Sequence, residues 1–228
     1  MPGYYIHLAA VNQKAAANRS FICGVEAPDI LKKHLHDAKG DFNIAKAKYE
    51  QMKTPDMPEY ETFIPRLKQV EERGTLQGMH YGKSSSTNVI AFWYDLSDEQ
   101  KEMPFYKGYL WHLLTDAIMY GRLDIDARFT ETLKTRKVSK KNWAIERAKE
   151  VDILHEDWDK TNAKVRKTYP EVRLTPEVEE LGVVRFNEDD NLTYVEWNLL
   201  KDTIDYLRLF NPLEEDLDEV IEIILDSI

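Results

Sequence analysis

The run GYLWHLLTDAIMY, from Gly108 to Tyr120, decides the fold. Apolar residues occupy nearly every position in it, so a helix formed here has almost no polar face and is expected to be buried on all sides. His112 and Asp116 stand four residues apart within the run, and this spacing places two side chains on one face of a helix. A buried carboxylate is costly unless it is paired, protonated or bound to a metal. The run therefore predicts a helical core that contains a charged site.

Apolar residues recur at helical spacing along most of the rest of the chain. Thr175 followed by Pro176 is typical of an N-cap with proline at the first helical position. Gly182–Phe186 is predicted as a short strand and Gly74–Thr87 as an irregular loop, whereas Asn88–Tyr94 fits either a strand or a buried helical turn. Further helices are predicted over Tyr4–Asn18, Asp29–Lys39, Phe42–Met52, Pro65–Glu72, Asp126–Leu133, Asn142–Tyr169, Thr193–Phe210 and Asp216–Leu225.

Composition limits the partners and the compartment. With 43% hydrophobic and 32% charged residues, the chain has the balance of a soluble globular protein. Its formal net charge of −10 makes duplex nucleic acid an unfavourable partner. No apolar stretch approaches the roughly 18 residues of a membrane span, so stable membrane insertion is not expected. The single cysteine, Cys23, and a poor match to a signal peptide predict a reducing, cytoplasmic location.

Four of the six histidines lie in apolar or aromatic surroundings: His7, His80, His112 and His155. A lone histidine in such a setting is more often a core residue than a ligand, but two His-x3-Asp pairs strengthen the joint case. The second pair joins His155 to Asp159 in a predicted long helix. Imidazole and carboxylate together suit zinc, iron or manganese, and the near absence of cysteine disfavours a structural zinc cluster.

Asp29, which follows a proline in GVEAPDI, has two interpretations. It could cap the helix predicted to begin there, because acidic residues are common at helix N-termini. It could instead project from a turn fixed by Pro28 toward the histidines, as a ligand or a general base. Taken alone, the residues favour the capping interpretation.

The order of these residues resembles that of the zinc-dependent phospholipase C family and of the related zinc-dependent single-strand nucleases. The shared order is an early histidine, an aspartate after a proline, a lone histidine, a buried His-x3-Asp pair and a later His-x3-acid pair. The segments MPGYYIHLAA, GVEAPDI and GYLWHLLTDA look like those of an uncharacterised prokaryotic branch of the phospholipase family. The resemblance extends from His7 to Asp159.

The resemblance implies an all-α, multi-helix bundle of the phospholipase C/single-strand nuclease type that hydrolyses a small phosphoester. The sequence itself predicts a single domain over residues 1–228, and the change of texture after Tyr169 divides it into a metal-site helical core over 1–169 and a C-terminal helical extension over 170–228. The resemblance implies that the metal ligands are His7, Asp29, His80, His112 and Asp116. In this scheme Asp116 would bridge two ions, and Asp29 would be a ligand or the catalytic base. His155 and Asp159 would bind a further ion.

Two departures from the family pattern lower the expected number of ions. The secreted members use the amine and carbonyl of a processed N-terminal tryptophan as ligands, whereas this chain starts Met1-Pro2. The family also has a histidine about ten residues after the buried one, where this chain has Arg122, Asp124 and Asp126. We therefore expect one or two ions, zinc in the first place with iron or manganese as alternatives.

Two other interpretations of the sequence remain open. An HD-type phosphohydrolase would use the doublet His36-Asp37, although this doublet lies in a lysine-rich stretch. A non-catalytic metal-binding helical protein would use the same ligands without turnover.

Overall fold

The computed structural model describes residues 3–37, 46–47, 49–51, 53–55, 57–59, 80 and 86–228, and only the backbone of residues 31–37, 86–88 and 177. No strand occurs in these ranges, so the predicted all-α class is confirmed. None of the described helices combines the length and apolarity needed to cross a bilayer. The helices are α1 (Tyr4–Ala9), α2 (Gln13–Ala16), α3 (Arg19–Asp37), α4 (Ser86–Tyr94), α5 (Asp98–Glu102), α6 (Pro104–Leu123), α7 (Ile125–Thr135), α8 (Trp143–Thr168), α9 (Pro176–Leu181), α10 (Trp197–Leu207) and α11 (Leu217–Leu225).

Helix α6 lies at the centre of the core. It begins with Pro104 in its first turn, and every residue from Gly108 to Met119 is buried, as the sequence predicts. Helices α3, α4, α5, α7, α10 and α11 all pack against it. The buried apolar cluster around α6 includes residues from Tyr5 to Ile224, so the two predicted parts of the chain share one core.

Helices α3 and α6 touch at two glycines. A Cβ on Gly108 would lie 2.0 Å from the carbonyl oxygen of Phe21, and a Cβ on Gly24 would come equally close to the backbone of α6. The two backbones can approach this closely only because neither residue has a side chain. The approach brings the carbonyl oxygen of Val25 to 2.7 Å from Nδ1 of His112.

The N-terminal region differs from its prediction in two places. Tyr4–Asn18 forms two short helices, and Asn12 caps the second by accepting a hydrogen bond from the backbone N–H of Lys14. Helix α3 begins well before Asp29 and continues through Pro28. Glycine and proline are poor helix formers, but packing of residues 21–30 against α6 outweighs this preference.

The region after Tyr169 is partly as predicted. Helix α9 begins with Pro176, and the side chain of Thr175 caps it by accepting a hydrogen bond from the N–H of Val178. The predicted strand at Gly182–Phe186 is wrong, because this segment is irregular and lies against α8 without a partner strand among the described residues. One of its contacts is a hydrogen bond of 3.0 Å from the side chain of Asn162 to the carbonyl oxygen of Arg185.

A buried carboxylate explains why α10 begins later than Thr193. Asp157 of α8 accepts hydrogen bonds from the backbone N–H groups of Thr193, Tyr194 and Val195 at 2.9, 2.6 and 3.1 Å. These residues therefore form a turn around Asp157 instead of the first turn of a helix.

The remaining predictions fall on residues described only in part. Asn88–Tyr94, left open between strand and helix, lies within α4. Within the helix predicted at Phe42–Met52, residues 46–47 and 49–51 are helical. The predicted helix at Pro65–Glu72 lies outside the described residues, as does the predicted loop at Gly74–Thr87 apart from His80 and the start of α4.

Candidate metal centre

Five of the seven predicted site residues lie together in the core. His7 comes from α1, Asp29 from α3, and His112 and Asp116 from one face of α6, and His80 lies beside His112. Asp29 is 8% exposed and each of the other four is 1% exposed. Helix packing thus brings together residues that are far apart in sequence.

Nε2 of His80 lies among three possible metal-ligand atoms. It is 3.1 Å from Nε2 of His112, 3.3 Å from Oδ1 of Asp29 and 3.8 Å from Oδ2 of Asp116. Donor atoms that bind one zinc ion tetrahedrally at about 2.0–2.1 Å are about 3.3 Å apart. The separations in this cluster are therefore close to those that a shared ion requires.

The carboxylate of Asp116 faces two sides of the cluster. Its Oδ1 lies 3.5 Å from Nε2 of His7, whereas its Oδ2 faces His80 and His112. The ring of His7 stacks on that of His112, with centroids 3.8 Å apart. Two groups of three residues have ligand atoms within 4.8 Å of one another: His7, Asp29 and His112, and His80, His112 and Asp116.

The ring of His112 is held in one orientation by the backbone of α3. Because a carbonyl oxygen only accepts, Nδ1 of His112 donates its hydrogen to Val25, and Nε2 of the neutral ring keeps its lone pair toward the cluster. Burial, together with the neighbouring His7, lowers the pKa of His112 to about 3. His112 is therefore neutral at physiological pH, which is the state that binds a metal.

Both carboxylates of the cluster are ionised. Burial alone would raise the pKa of Asp29 and of Asp116. Asp29, however, contacts His80, and Asp116 contacts His7. Together with the other imidazoles, these contacts hold both pKa values well below their usual range. Two buried negative charges are costly without a positive partner. The cluster thus favours a bound cation.

Several nitrogen atoms in the cluster lack a hydrogen bond. Neither ring nitrogen of His7 nor Nδ1 of His80 has a hydrogen-bond partner in the described part of the chain, and all three atoms are buried. The 3.5 Å between His7 and Asp116 is too long for a good hydrogen bond. Leaving a buried polar atom unsatisfied costs about 1–3 kcal/mol, so these nitrogens suit an additional ligand such as a metal ion.

The second predicted pair, His155 and Asp159, lies on α8 and does not join the cluster. His155 is exposed and Asp159 is partly buried. Burial raises the pKa of Asp159, while Arg185 and His155 oppose this effect. Neither residue belongs to a group of possible metal ligands among the described residues.

Arg122, Asp124 and Asp126, where the resemblance leads one to expect a further histidine, also lie outside the cluster. Asp126 pairs with Arg147 at 2.6 Å. Asp124 is exposed in a left-handed turn between α6 and α7, with φ of 47°. Arg122 donates a hydrogen bond to Ser227.

Two other sequence interpretations concern residues of α3. Asp29 lies well inside this helix, so the interpretation of Asp29 as an N-cap is wrong. His36 and Asp37 lie in its last turn, but their side chains are outside the described residues, and the HD-type alternative stays untested.

Tyr120 is a neighbour of the site that the sequence argument missed. It follows Asp116 by one helical turn of α6. Burial raises the pKa of the Tyr120 phenol above its ordinary value, and the charges of Asp116 and Asp29 raise it further. The signal was present in the sequence, since Tyr120 continues the four-residue spacing of His112 and Asp116.

Comparison with known proteins adds no relative. No family model, no curated protein and no solved structure matches the chain. The function of the cluster is therefore inferred from its residues and geometry.

Proposed function

We propose that this protein is a metal-dependent phosphoester hydrolase that resembles the zinc-dependent phospholipases C. The observation that carries the proposal is the convergence of three imidazoles and two ionised carboxylates in the core, with nitrogen and oxygen atoms 3.1–3.9 Å apart. Nitrogen and carboxylate oxygen without thiolate is the ligand set of catalytic rather than structural zinc.

The residues divide into two overlapping sets of ligands. His80, His112 and Oδ2 of Asp116 would hold one ion, and Asp29 lies beside them as the candidate base. His7 and Oδ1 of Asp116 would contribute to a second, because this oxygen faces away from His80. His112 serves a single ion, since its other ring nitrogen is bonded to Val25. The expected content is thus one or two ions per chain, with zinc favoured and iron or manganese as alternatives.

Bound zinc would polarise the phosphoryl oxygen of a substrate and lower the pKa of a water molecule to about 7. Asp29 is the candidate for the general base, because at 8% exposed it is the least buried member of the cluster. The contact between its Oδ1 and His80 at 3.3 Å orients the carboxylate. Asp116 and the three imidazoles would hold the metal in place.

A non-catalytic metal-binding role is the second candidate. The observation in its favour is the depth of the cluster, in which four of the five side chains are only 1% exposed. An ion at that depth would tie α1, α3 and α6 together without contacting a substrate. The two candidates predict the same metal content and differ in turnover.

The test combines elemental analysis with a phosphodiesterase assay. Protein purified without chelators is expected to contain one or two zinc, iron or manganese ions per chain and to hydrolyse bis-p-nitrophenyl phosphate. Asp116→Asn, which keeps the shape of the side chain, should lose both metal and activity, whereas His155→Ala on the exposed face of α8 should keep both. Metal without turnover would favour the non-catalytic role, and protein that also refuses added zinc would refute both.

A further inference from the structure

A cavity of about 370 Å³ lies apart from the candidate metal centre. Its walls come from α1, α2, the start of α3 and the segment 171–176, and Arg208 completes them. None of the five clustered histidines and aspartates lines it. The proposed hydrolase activity therefore gives this cavity no role.

The inner wall of the cavity is aliphatic. Leu8, Val11 and Ile22 form one side, and Val172 and Leu174 form the other. No lining residue is aromatic, so the wall offers no ring on which a base or an aromatic ligand could stack. The surface suits an aliphatic group.

The charge around the cavity is positive. Arg19, Arg173 and Arg208 line it, Glu171 pairs with Arg208, and the buried carboxylate of Glu26 accepts a hydrogen bond from the lining Thr175. Arg173 is exposed and has no carboxylate partner among the lining residues. The whole chain carries a formal net charge of −10. A local positive excess on so acidic a protein selects for an anion.

Two of the arginines keep donor capacity for a ligand. Arg208 pairs with Glu171 and lies over the ring of Tyr169 at 4.8 Å, but its Nη1 is buried and has no hydrogen-bond partner in the described ranges. Arg173 is exposed, and its Nη1 donates to the backbone carbonyls of Pro170 and Val172. The remaining N–H groups of an arginine fork can bind a carboxylate.

We propose that this cavity binds a small aliphatic carboxylate. The carboxylate lies at Arg173 and Arg208, and the hydrocarbon lies along the wall of Leu8, Val11 and Ile22. Ligand pockets typically measure about 300–1,000 Å³, so a cavity near the lower limit takes a short chain rather than a two-chain lipid. The inference does not depend on the metal centre.

Isothermal titration calorimetry with octanoate tests the proposal, with octan-1-ol and octylamine as probes of the same length but different charge. Octanoate is expected to bind one per chain, and more tightly at low ionic strength, because the arginines are partly exposed. Octylamine is expected not to bind. Equal binding of all three probes, or no binding of octanoate at millimolar concentration, would overturn the proposal.

Two variants locate the binding. Ala17 is exposed, lines the cavity and has ordinary right-handed backbone angles, so Ala17→Phe fills the cavity without strain and should abolish octanoate binding. Arg173→Gln should weaken binding about three- to fivefold, the usual worth of one exposed charge. Ala127→Phe and Arg185→Gln are matched controls, because both residues are exposed and neither lines the cavity. Octanoate binding that survives Ala17→Phe would place the octanoate site elsewhere. Metal content is expected to be unchanged in all four variants, which would show that any loss of octanoate binding does not come from damage to the metal centre.

Discussion

Replacing Gly108 by alanine tests whether the contact between α3 and α6 positions the metal centre. The added Cβ would lie 2.0 Å from the carbonyl oxygen of Phe21 and 3.0 Å from the backbone nitrogen of Val25. Both atoms belong to the backbone of a helix and cannot rotate away. Since ordinary contact begins at 3.4 Å, the two helices must separate by about 1.4 Å.

The cost of this separation follows from two effects. Overpacking a core costs about 1–3 kcal/mol. The shift would also stretch the 2.7 Å hydrogen bond between His112 and Val25 beyond bonding distance, and a buried donor left unsatisfied costs about 1–3 kcal/mol more. The higher helix propensity of alanine offsets about 1 kcal/mol. The free energy of unfolding should therefore fall by about 3 kcal/mol.

Urea denaturation followed by tryptophan fluorescence measures this change. Gly121→Ala is the matched control on the same helix, because its Cβ would also lie 2.0 Å from a neighbouring atom. That atom is Cγ2 of Ile228, and the exposed side chain of Ile228 can move away. The control should be neutral or slightly stabilising. If Gly108→Ala is as stable as Gly121→Ala, α3 and α6 do not touch at these glycines, and their contact does not hold Val25 against His112.

Three further predictions concern the metal and the C-terminal region. Removing the metal with a chelator should lower the melting temperature, and added zinc should restore it, because a ligand that binds only the folded state stabilises it by mass action; a melting curve that does not respond to either would contradict the proposed centre. Asp29→Asn should keep most of the metal but lose phosphodiesterase turnover, because the amide cannot accept a proton; elemental analysis beside the kinetic assay distinguishes this from loss of the ion. Asp157→Ala should lower the free energy of unfolding by about 3 kcal/mol, since the backbone N–H groups of the buried Tyr194 and Val195, and that of the more exposed Thr193, lose their acceptor. Hydrogen exchange should rise at Thr193 to Val195, and protection that persists there would show that the turn does not depend on Asp157.

The fold class and the central helix could be predicted because their signal is local. The run from Gly108 to Met119 is apolar at nearly every position and predicts a buried helix, which is what the structure has there. The His112–Asp116 pair follows from helical spacing alone. In the structure, Nε2 of His112 lies 3.9 Å from Oδ2 of Asp116. Thr175 is a cap whose partner is three residues away, so it too is visible in the sequence.

The errors occurred where contacts distant in sequence decide the local structure. Gly24 and Pro28 indicate a break in a helix, but packing against α6 keeps α3 continuous through both. The late start of α10 depends on Asp157, which lies on another helix. His155 and Asp159 have the same spacing as His112 and Asp116, yet their helix turns His155 toward solvent. Spacing predicts which residues share a face and does not predict what that face meets.

The positions of Gly108 and Asp157 make stability and metal binding separable by experiment. Gly108 lies at the contact that places Val25 against His112, so a change there should reduce the free energy of unfolding and the metal content together. Asp157 holds a turn against α8 and belongs to no group of possible metal ligands in the described part of the chain, so a change there should reduce stability alone. If both variants lose metal in proportion to their loss of stability, the ion binds merely because the chain is folded. If only Gly108→Ala loses it, the close contact of two helices sets the geometry of the centre.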